Sequence, residues 1–227
     1  MLRSSICEIV IVGNLDMDEV VKMIKKIFHK SAIVKKEIPT TIQNPMTSYK
    51  EETVQKNYNQ TILNMIYQLE ELTPFEQNFV VPIFDRIFGY GALSDKLGRY
   101  LRAKNSLCYG YMTDFVLKDA YLAITTGLTK ENVELAIACI KKAYQEMRDG
   151  IFTEEELETA KKKHLSDTVL QQDNIYTIAD KYYYHEVFHR ASFDEIEREI
   201  PKVTKKDLCA LAKKMHLTYT FIMEEGE

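Results

Sequence analysis

The amino-acid sequence predicts an α+β fold in which a helical layer covers one face of a largely antiparallel sheet. β-Branched and aromatic residues are concentrated in two pairs of adjacent stretches, near residues 49–69 and 108–127, and such pairs are typical of antiparallel hairpins. Helical periodicities are clustered after these pairs, instead of alternating with single strands as in a doubly wound fold. A chain of 227 residues is also long enough to bury a complete core without disulfides or metals.

The first elements are expected before and just after a linker. The β-branched run 6–13 predicts a strand, and the D-x-x-E sequence that begins at Asp16 is a helix-capping signal. Residues 33–48 lose all periodicity, and residues 37–48, which contain two prolines, are expected to form a linker. Two strand-like stretches follow, at 49–56 and 60–69.

The central part of the chain predicts two helical segments and a second hairpin. Thr73-Pro74 starts a helix that ends at Gly89, and an amphipathic stretch then runs to Lys104. The second pair of strands is expected at 108–117 and 120–127. The remaining predicted elements are a helix over 130–149, a helix capped by Thr153, a helix over 174–189, short helices after Ser192 and Thr204, and a strand over 218–223.

Composition and charge narrow the classes of function. The sequence is 45% hydrophobic and 28% charged, which is ordinary for a globular protein. Its 30 Lys and Arg residues against 34 Asp and Glu residues leave a net charge of -4, which disfavours nucleic-acid binding. No apolar run approaches the roughly 20 residues of a membrane helix, and the first residues lack a signal-peptide cleavage site. We therefore expect a cytoplasmic protein without a membrane partner, whose scattered cysteines are reduced.

One literal metal-binding motif is present in the predicted 174–189 helix. His185-Glu186-Val187-Phe188-His189 is an H-E-x-x-H sequence, which on a helix would place two imidazoles one turn apart and Glu186 beside them as a base. The extension of this motif in metzincins needs Gly and His at positions 192 and 195, where this chain has Ser and Glu. The alternative interpretation, two partly buried histidines in a Tyr-rich packing helix, is favoured. An autonomous zinc protease therefore remains the less favoured alternative.

A second motif lies at the junction between the amphipathic stretch and the following strand. Residues 101–109 carry Leu, Arg, Lys, Leu and Tyr in an L-R-x-K-x-x-L-x-Y pattern. This segment resembles the helix-to-strand junction of the insulinase/pitrilysin-type metallopeptidases, the inverzincins, in which an Arg and a Tyr stand seven positions apart. Other segments that are similar to this family follow one another in its order along the chain, at 9–16, 83–97, 150–161 and 200–208.

The resemblance implies an αβ roll that forms one half of a peptidase clamshell. In this family the zinc site is an inverted H-x-x-E-H in the first half, and none of the five histidines here belongs to such a sequence. The chain thus resembles the zinc-free C-terminal half, and among known members the metal-free bacterial partner subunits. On this basis residues 1–36 would be the trailing βα unit of a preceding half-domain, 37–48 the linker, and 49–227 the zinc-free half-domain.

The resemblance also implies a function and a site. Arg102 and Tyr109 would be catalytic, because a guanidinium and a phenol can stabilise the negative charge that builds up on a peptide carbonyl during hydrolysis. Tyr111 is an alternative phenol that should share the strand face of Tyr109. No metal or cofactor is expected in this chain. Zinc is expected in the partner, a zinc-bearing peptidase half or subunit in a homo- or heterodimer, which would act with this chain on a peptide substrate.

One further interpretation stays open beside this one. From their spacing alone, Arg102 would better suit a solvated position at a helix C-terminus, where the dipole favours a positive charge, with Tyr109 as an ordinary strand aromatic. The chain would then be a non-catalytic binding or scaffold subunit that keeps the family fold without its chemistry.

Overall fold

A computed structural model describes residues 8–28, 48–57 and 59–226. The five strands that it contains are β1 Lys50–Lys56, β2 Thr61–Leu69, β3 Cys108–Val116, β4 Tyr121–Leu128 and β5 Met215–Glu225. The α-helices are α1 Met17–Ile27, α2 Val81–Phe88, α3 Val133–Asp149, α4 Glu154–Gln171, α5 Ile175–Phe188, α6 Phe193–Glu199 and α7 Lys205–Lys213. Two π-helical segments, Glu76–Val80 and Gly98–Lys104, and two 3₁₀ turns, Lys130–Asn132 and Ile200–Lys202, complete the described elements.

The strands form one five-stranded sheet in the order β1-β5-β2-β4-β3. Only the β1–β5 pair is parallel, and the other three pairs are antiparallel. Met65 in the central strand β2 pairs with Ile124 on one side and with Thr220 on the other. The prediction of an α+β fold with a largely antiparallel sheet is confirmed.

The sheet buries one of its faces beneath helices. β2 alternates between buried and half-buried residues along its whole length, as a strand covered on one side does. On the covered face, the Tyr67 ring of β2 lies 4.7 Å from the Tyr144 ring of α3, and the Phe115 ring of β3 lies 6.0 Å from the Phe84 ring of α2. The Tyr144 hydroxyl donates to the backbone carbonyl of Ala212 in α7, which joins that helix to the same layer.

Local signals set several of the helix boundaries. The Asp16 carboxylate accepts hydrogen bonds from the first-turn amides of Asp18 and Glu19, so α1 begins where the capping signal predicts. Thr204 and Asp207 form a reciprocal capping box at the start of α7. α3 ends at Gly150, which adopts a left-handed conformation with φ of 71°, a conformation in which a side chain is strained.

Some expectations for the N-terminal part are not met or lie outside the described residues. Residues 8–13 were expected in a strand over 6–13, but they form none, because no described strand pairs with them. Residues 6 and 7 of that strand and 37–47 of the predicted linker lie outside the described residues.

The described residues divide into two compact units. One unit comprises 8–28 and 165–197, and the other comprises 48–57, 59–164 and 198–226, which include the entire sheet. None of the helices in the described part of the chain is long and apolar enough to cross a membrane.

Candidate functional site

The candidate site is built on the turn between α2 and the π-helical segment Gly98–Lys104. α2 ends at Gly89, where an alanine Cβ would lie 2.6 Å from Thr113 Cγ2 of β3, so the turn approaches the edge strand closely. The Asp95 carboxylate closes the turn, because its two oxygens accept from the Ala92 amide at 2.8 Å and from the Gly98 amide at 2.7 Å. Asp95 thereby fixes the start of the segment that carries Arg102.

Arg102 lies near the end of this segment and is half-buried. The chain then reverses sharply: the Ser106 amide donates to the Arg102 carbonyl at 3.0 Å, the Leu107 amide donates to the Leu101 carbonyl at 2.7 Å, and Ser106 has a positive φ of 51°. The Arg102 guanidinium makes no hydrogen bond or ion pair with any residue that the structure describes. It is therefore free to bind a ligand.

Tyr109 follows at the start of β3, which is an edge strand of the sheet. Its side chain is 98% exposed, and its hydroxyl bonds to nothing in the described chain. Arg102 and Tyr109 thus lie on either side of a single turn, each with its polar group available.

Tyr111 has a different environment from Tyr109, and the expectation that the two share a strand face is wrong. Its hydroxyl lies 2.6 Å and 2.7 Å from the two carboxylate oxygens of Asp95. A register shift between Cys108 and Tyr111 interrupts the pairing of β3 with β4, so the alternation of side chains is broken there. Burial and the hydrogen bond to Asp95 raise the pKa of Tyr111, while the positive charge of Arg102 opposes this rise.

A second carboxylate, that of Asp85 on α2, contacts the same strand. The Thr113 hydroxyl lies 2.6 Å from Asp85 Oδ1 and 2.9 Å from the Gly89 carbonyl oxygen. Burial raises the pKa of Asp85 to about 6. The hydrogen bond from Thr113 opposes this rise, whereas the negative charge of Asp95 adds to it. Burial also raises the pKa of Asp95, although its hydrogen bonds from Tyr111 and the Gly98 amide oppose this.

The sequence did not predict the hydrogen bonds of Asp95 and Asp85 at this site. Asp95 belongs to a segment that resembles the family, but its sequence context assigned it no role. A signal was present, because Asp is a preferred N-cap residue, whose side chain accepts from the amide three residues further on. No comparable signal marked Asp85, whose partner Thr113 is 28 residues away in the chain.

The H-E-x-x-H motif does not form a metal site of the predicted geometry. α5 ends at Phe188, and His189 caps it in a left-handed conformation with φ of 53°, so the two imidazoles are not one helical turn apart. His185 Nδ1 lies 2.7 Å from the Arg190 carbonyl oxygen. Among the described residues, no group of three or more His, Cys, Asp or Glu side chains is arranged to hold a metal ion.

The packing-helix interpretation of this motif is only half right. His185 is half-buried as expected, but His189 is exposed, and no residue of α5 is fully buried. Tyr182 and Tyr184 are 54% and 50% exposed. Tyr184 instead packs against Phe188, with ring centroids 5.6 Å apart on the surface of the helix.

The described residues define an α+β protein in which helices cover one face of a largely antiparallel sheet, with Arg102 and Tyr109 beside the edge strand β3. Comparison with known proteins identifies its family. The family described as "Peptidase M16 inactive domain" matches residues 1–163 of the 227. The chain therefore belongs to the peptidase M16 family, as a member of its inactive domain. This confirms the resemblance to the insulinase-type metallopeptidases.

Individual relatives agree with this assignment. The chain is 24% identical over 228 residues to the "Probable inactive metalloprotease YmfF" of Bacillus subtilis (strain 168), covering 97% of this chain and 52% of that protein. A conserved protein from Enterococcus faecalis V583 superposes with a TM-score of 0.76 and 23% identity, over 94% of this chain and 51% of that one. A protease from Helicobacter pylori superposes with a TM-score of 0.77 and 15% identity, over 94% and 53% of the two chains. The chain spans about half the length of these relatives.

Proposed function

We propose that this chain is the zinc-free half, or a zinc-free subunit, of a two-part M16 peptidase. In that assembly it forms one wall of the substrate chamber and supplies Arg102 and Tyr109 to the hydrolysis of a peptide bond at zinc held by another half. The observation that carries this proposal is a phenol left 98% exposed at Tyr109, across one turn from a guanidinium with no polar partner in the described chain.

The chemistry of the pair follows from its donors. Zinc in the other half would supply a Lewis acid. As water attacks the peptide carbonyl, negative charge develops on the carbonyl oxygen, and the Tyr109 O–H and the Arg102 guanidinium are donors suited to that charge. The guanidinium presents its N–H donors in a fixed planar fork, which suits an oxygen that gains negative charge. Loss of one such donor typically slows an enzyme by about 10²–10³-fold.

We further propose that residues 1–36 end a preceding half-domain, that 37–48 link it to the next, and that 49–227 form the zinc-free half. The apolar face of α1 supports this division, because Met17 and Ile27 are 66% and 73% exposed. The other half of a full-length relative would cover such a face. Amides of α1 should then exchange rapidly in the isolated chain and slowly in the complex with a zinc-bearing half; equal rates in both would contradict the division.

Reconstitution tests the proposed function. The pure chain is mixed with each H-x-x-E-H-bearing M16 subunit encoded in the same genome, and cleavage of a quenched fluorescent peptide library is measured with and without a chelator. We expect the chain to be inert alone and to raise activity in one mixture, in a chelator-sensitive way. Arg102→Ala and Tyr109→Phe should each lower that activity by about 10²–10³-fold. Chelator-sensitive cleavage by the pure chain would contradict the proposal.

A non-catalytic scaffold subunit with the same fold is the second candidate. The B. subtilis relative favours it, because that protein is named a probable inactive metalloprotease. If a reconstituted enzyme keeps its full rate with Arg102→Ala and Tyr109→Phe, the scaffold function is established and the catalytic role of the pair is lost. Glu186→Gln serves as a control for the H-E-x-x-H motif, since a protease that used it would lose its activity.

A cytoplasmic location is also proposed. It rests on the cysteines, because Cys108, Cys139 and Cys209 are all free thiols and reduced cysteines are typical of the cytoplasm. Fractionation of the source cells tests it, and recovery of the chain outside the cytoplasm would contradict it.

A further inference from the structure

We infer that Asp95 and Tyr111 are positioning residues for the Arg102–Tyr109 pair: their hydrogen bond joins the segment that carries Arg102 to the strand that carries Tyr109. The consequence for catalysis rests on the function proposed above. The mechanical link itself does not, because it depends only on contacts within this chain.

Asp95 is the point at which the two elements meet. It is 3% exposed, and its carboxylate accepts from the Gly98 amide, the first residue of the Arg102 segment, at 2.7 Å. The same carboxylate accepts from the Tyr111 hydroxyl at 2.6 Å. A buried charge-assisted hydrogen bond of this kind is roughly twice as strong as a neutral one. One side chain therefore holds both elements.

The link sits close to both members of the pair. Tyr111 follows Tyr109 by two residues on β3. The positive charge of Arg102 also acts on Tyr111, because it partly offsets the rise in the Tyr111 pKa that burial causes. The segment that carries Arg102 approaches β3 and the preceding turn closely at Gly98. An alanine Cβ there would lie 2.0 Å from the Ala92 carbonyl oxygen and 2.9 Å from the Tyr111 hydroxyl.

The β-bulge lets the Tyr111 side chain bond to Asp95 while the Tyr109 side chain points away from it. In a regular strand Tyr109 and Tyr111 would point to the same face, so a bond that draws Tyr111 towards Asp95 would draw Tyr109 inwards as well. The register shift between Cys108 and Tyr111 breaks this relation. The Thr126 hydroxyl donates to the Gly110 carbonyl at 2.8 Å and holds the irregular backbone in place. Tyr111 is anchored while Tyr109 faces outwards.

Amide hydrogen exchange on the isolated full-length chain tests the link. Tyr111→Phe removes only the hydroxyl, and Asp95→Asn removes the charge at nearly constant volume. We expect the Gly98, Ser106 and Leu107 amides to exchange at least about tenfold faster in both variants, while amides of the central strand β2 are unchanged. If Asp95→Asn does not fold, Tyr111→Phe alone decides.

Tyr100→Phe is the matched control, because the Tyr100 hydroxyl also donates to a carboxylate, that of Glu146, but does not bond to β3. It should leave the Ser106 and Leu107 amides unchanged. The inference is overturned if these amides are unchanged in Tyr111→Phe, if Tyr100→Phe accelerates them equally, or if all amides of the chain accelerate together.

A double-mutant cycle in the reconstituted enzyme separates this inference from the proposed function. If Tyr111 acts through the pair, Tyr111→Phe lowers kcat by about tenfold with little change in KM, and adds almost nothing in a background that lacks both members, Arg102→Ala/Tyr109→Phe. Equal effects in both backgrounds overturn the positioning role. A reconstituted enzyme that is insensitive to Arg102→Ala and Tyr109→Phe refutes the proposed function, whereas the exchange result stands independently.

Discussion

Tyr109 and Tyr111 stand two residues apart on β3, yet the Tyr109 side chain is 98% exposed whereas the Tyr111 hydroxyl lies 2.6 Å from an oxygen of Asp95. The β-bulge between them separates their environments. One edge strand therefore carries one phenol that is bound into the fold and a second that is available to a ligand.

These environments predict unequal effects of the same substitution on stability. Tyr111→Phe should lower the free energy of unfolding by about 1–2 kcal/mol, because it leaves the buried Asp95 carboxylate with one donor fewer. Tyr109→Phe should change it by less than about 0.5 kcal/mol, since the lost hydroxyl bonds to no residue that the structure describes. Urea unfolding of both variants measures the difference, and equal values would show that the bulge does not separate the two rings in solution.

Gly98 should be irreplaceable for a steric reason. Its substitution by alanine would place Cβ 2.0 Å from the Ala92 carbonyl oxygen, a backbone atom that cannot move alone. We expect Gly98→Ala to destabilise the chain by about 2–3 kcal/mol. Gly110→Ala is the matched control, because no atom lies within 4 Å of its added Cβ. Thermal unfolding measures both, and a Gly98 variant as stable as the Gly110 variant would contradict the close approach.

Asp85 should make stability depend on pH. Its pKa is about 6 in the folded chain and near 3.9 when unfolded, so the folded state binds the proton more tightly. The stability that this proton contributes is fully present below pH 4 and is lost as the pH rises through 6. Asp85→Asn should remove this loss and gain up to about 3 kcal/mol relative to the natural chain at pH 8. Little gain is expected at pH 4.

The single proton of the Thr113 hydroxyl gives a structural reason for this dependence. Thr113 contacts both Asp85 and the Gly89 carbonyl oxygen, and one proton cannot serve both acceptors. A protonated Asp85 would donate to Thr113 and leave the Thr113 proton for Gly89. Asp114→Asn, at an exposed position next to Thr113, is the comparison and should gain much less at pH 8, because the Asp114 charge is only a minor cause of the raised pKa of Asp85. A pH-independent effect of Asp85→Asn would contradict the raised pKa.

The Lys96–Glu146 ion pair should behave as a buried pair. The Lys96 ammonium lies 2.7 Å from Glu146, and the two side chains are only 5% and 17% exposed. Lys96→Met leaves the Glu146 charge without its partner and should cost about 3 kcal/mol. The double variant Lys96→Met/Glu146→Leu should recover most of this loss. A double variant that is no more stable than Lys96→Met would contradict this expectation.

Zinc binding should be absent at the H-E-x-x-H motif. His189 lies beyond the end of α5 in a left-handed conformation, so a metal would have to reorganise the end of the helix in order to bind both imidazoles. Metal analysis of protein purified without tag or chelator should find well below one zinc per chain, with the same value for His185→Ala. A stoichiometric zinc lost in His185→Ala would make this motif a functional site.

Much of the fold follows from local patterns in the sequence. The alternation along residues 61–69 predicts the central strand, because one face of it is buried throughout. The cap at Asp16 and the glycine at 150 predict helix ends, because their hydrogen bonds and backbone angles involve only neighbouring residues. The placement of Arg102 and Tyr109 on either side of a helix-to-strand turn was predictable for the same reason.

Tertiary structure decided the features that depend on distant residues. Asp95 and Tyr111 are 16 residues apart, and their bond and the bulge beside it arise from the packing of a turn against an edge strand. The run at 6–13 has the composition of a strand, but residues 8–13 form none in the described chain, since a strand exists only through its neighbour. The sequence alone determined the order of the described elements from β1 onwards and the positions of Arg102 and Tyr109 along it. The contacts of Asp95 and the bulge in β3 came from long-range packing, which no local pattern encodes.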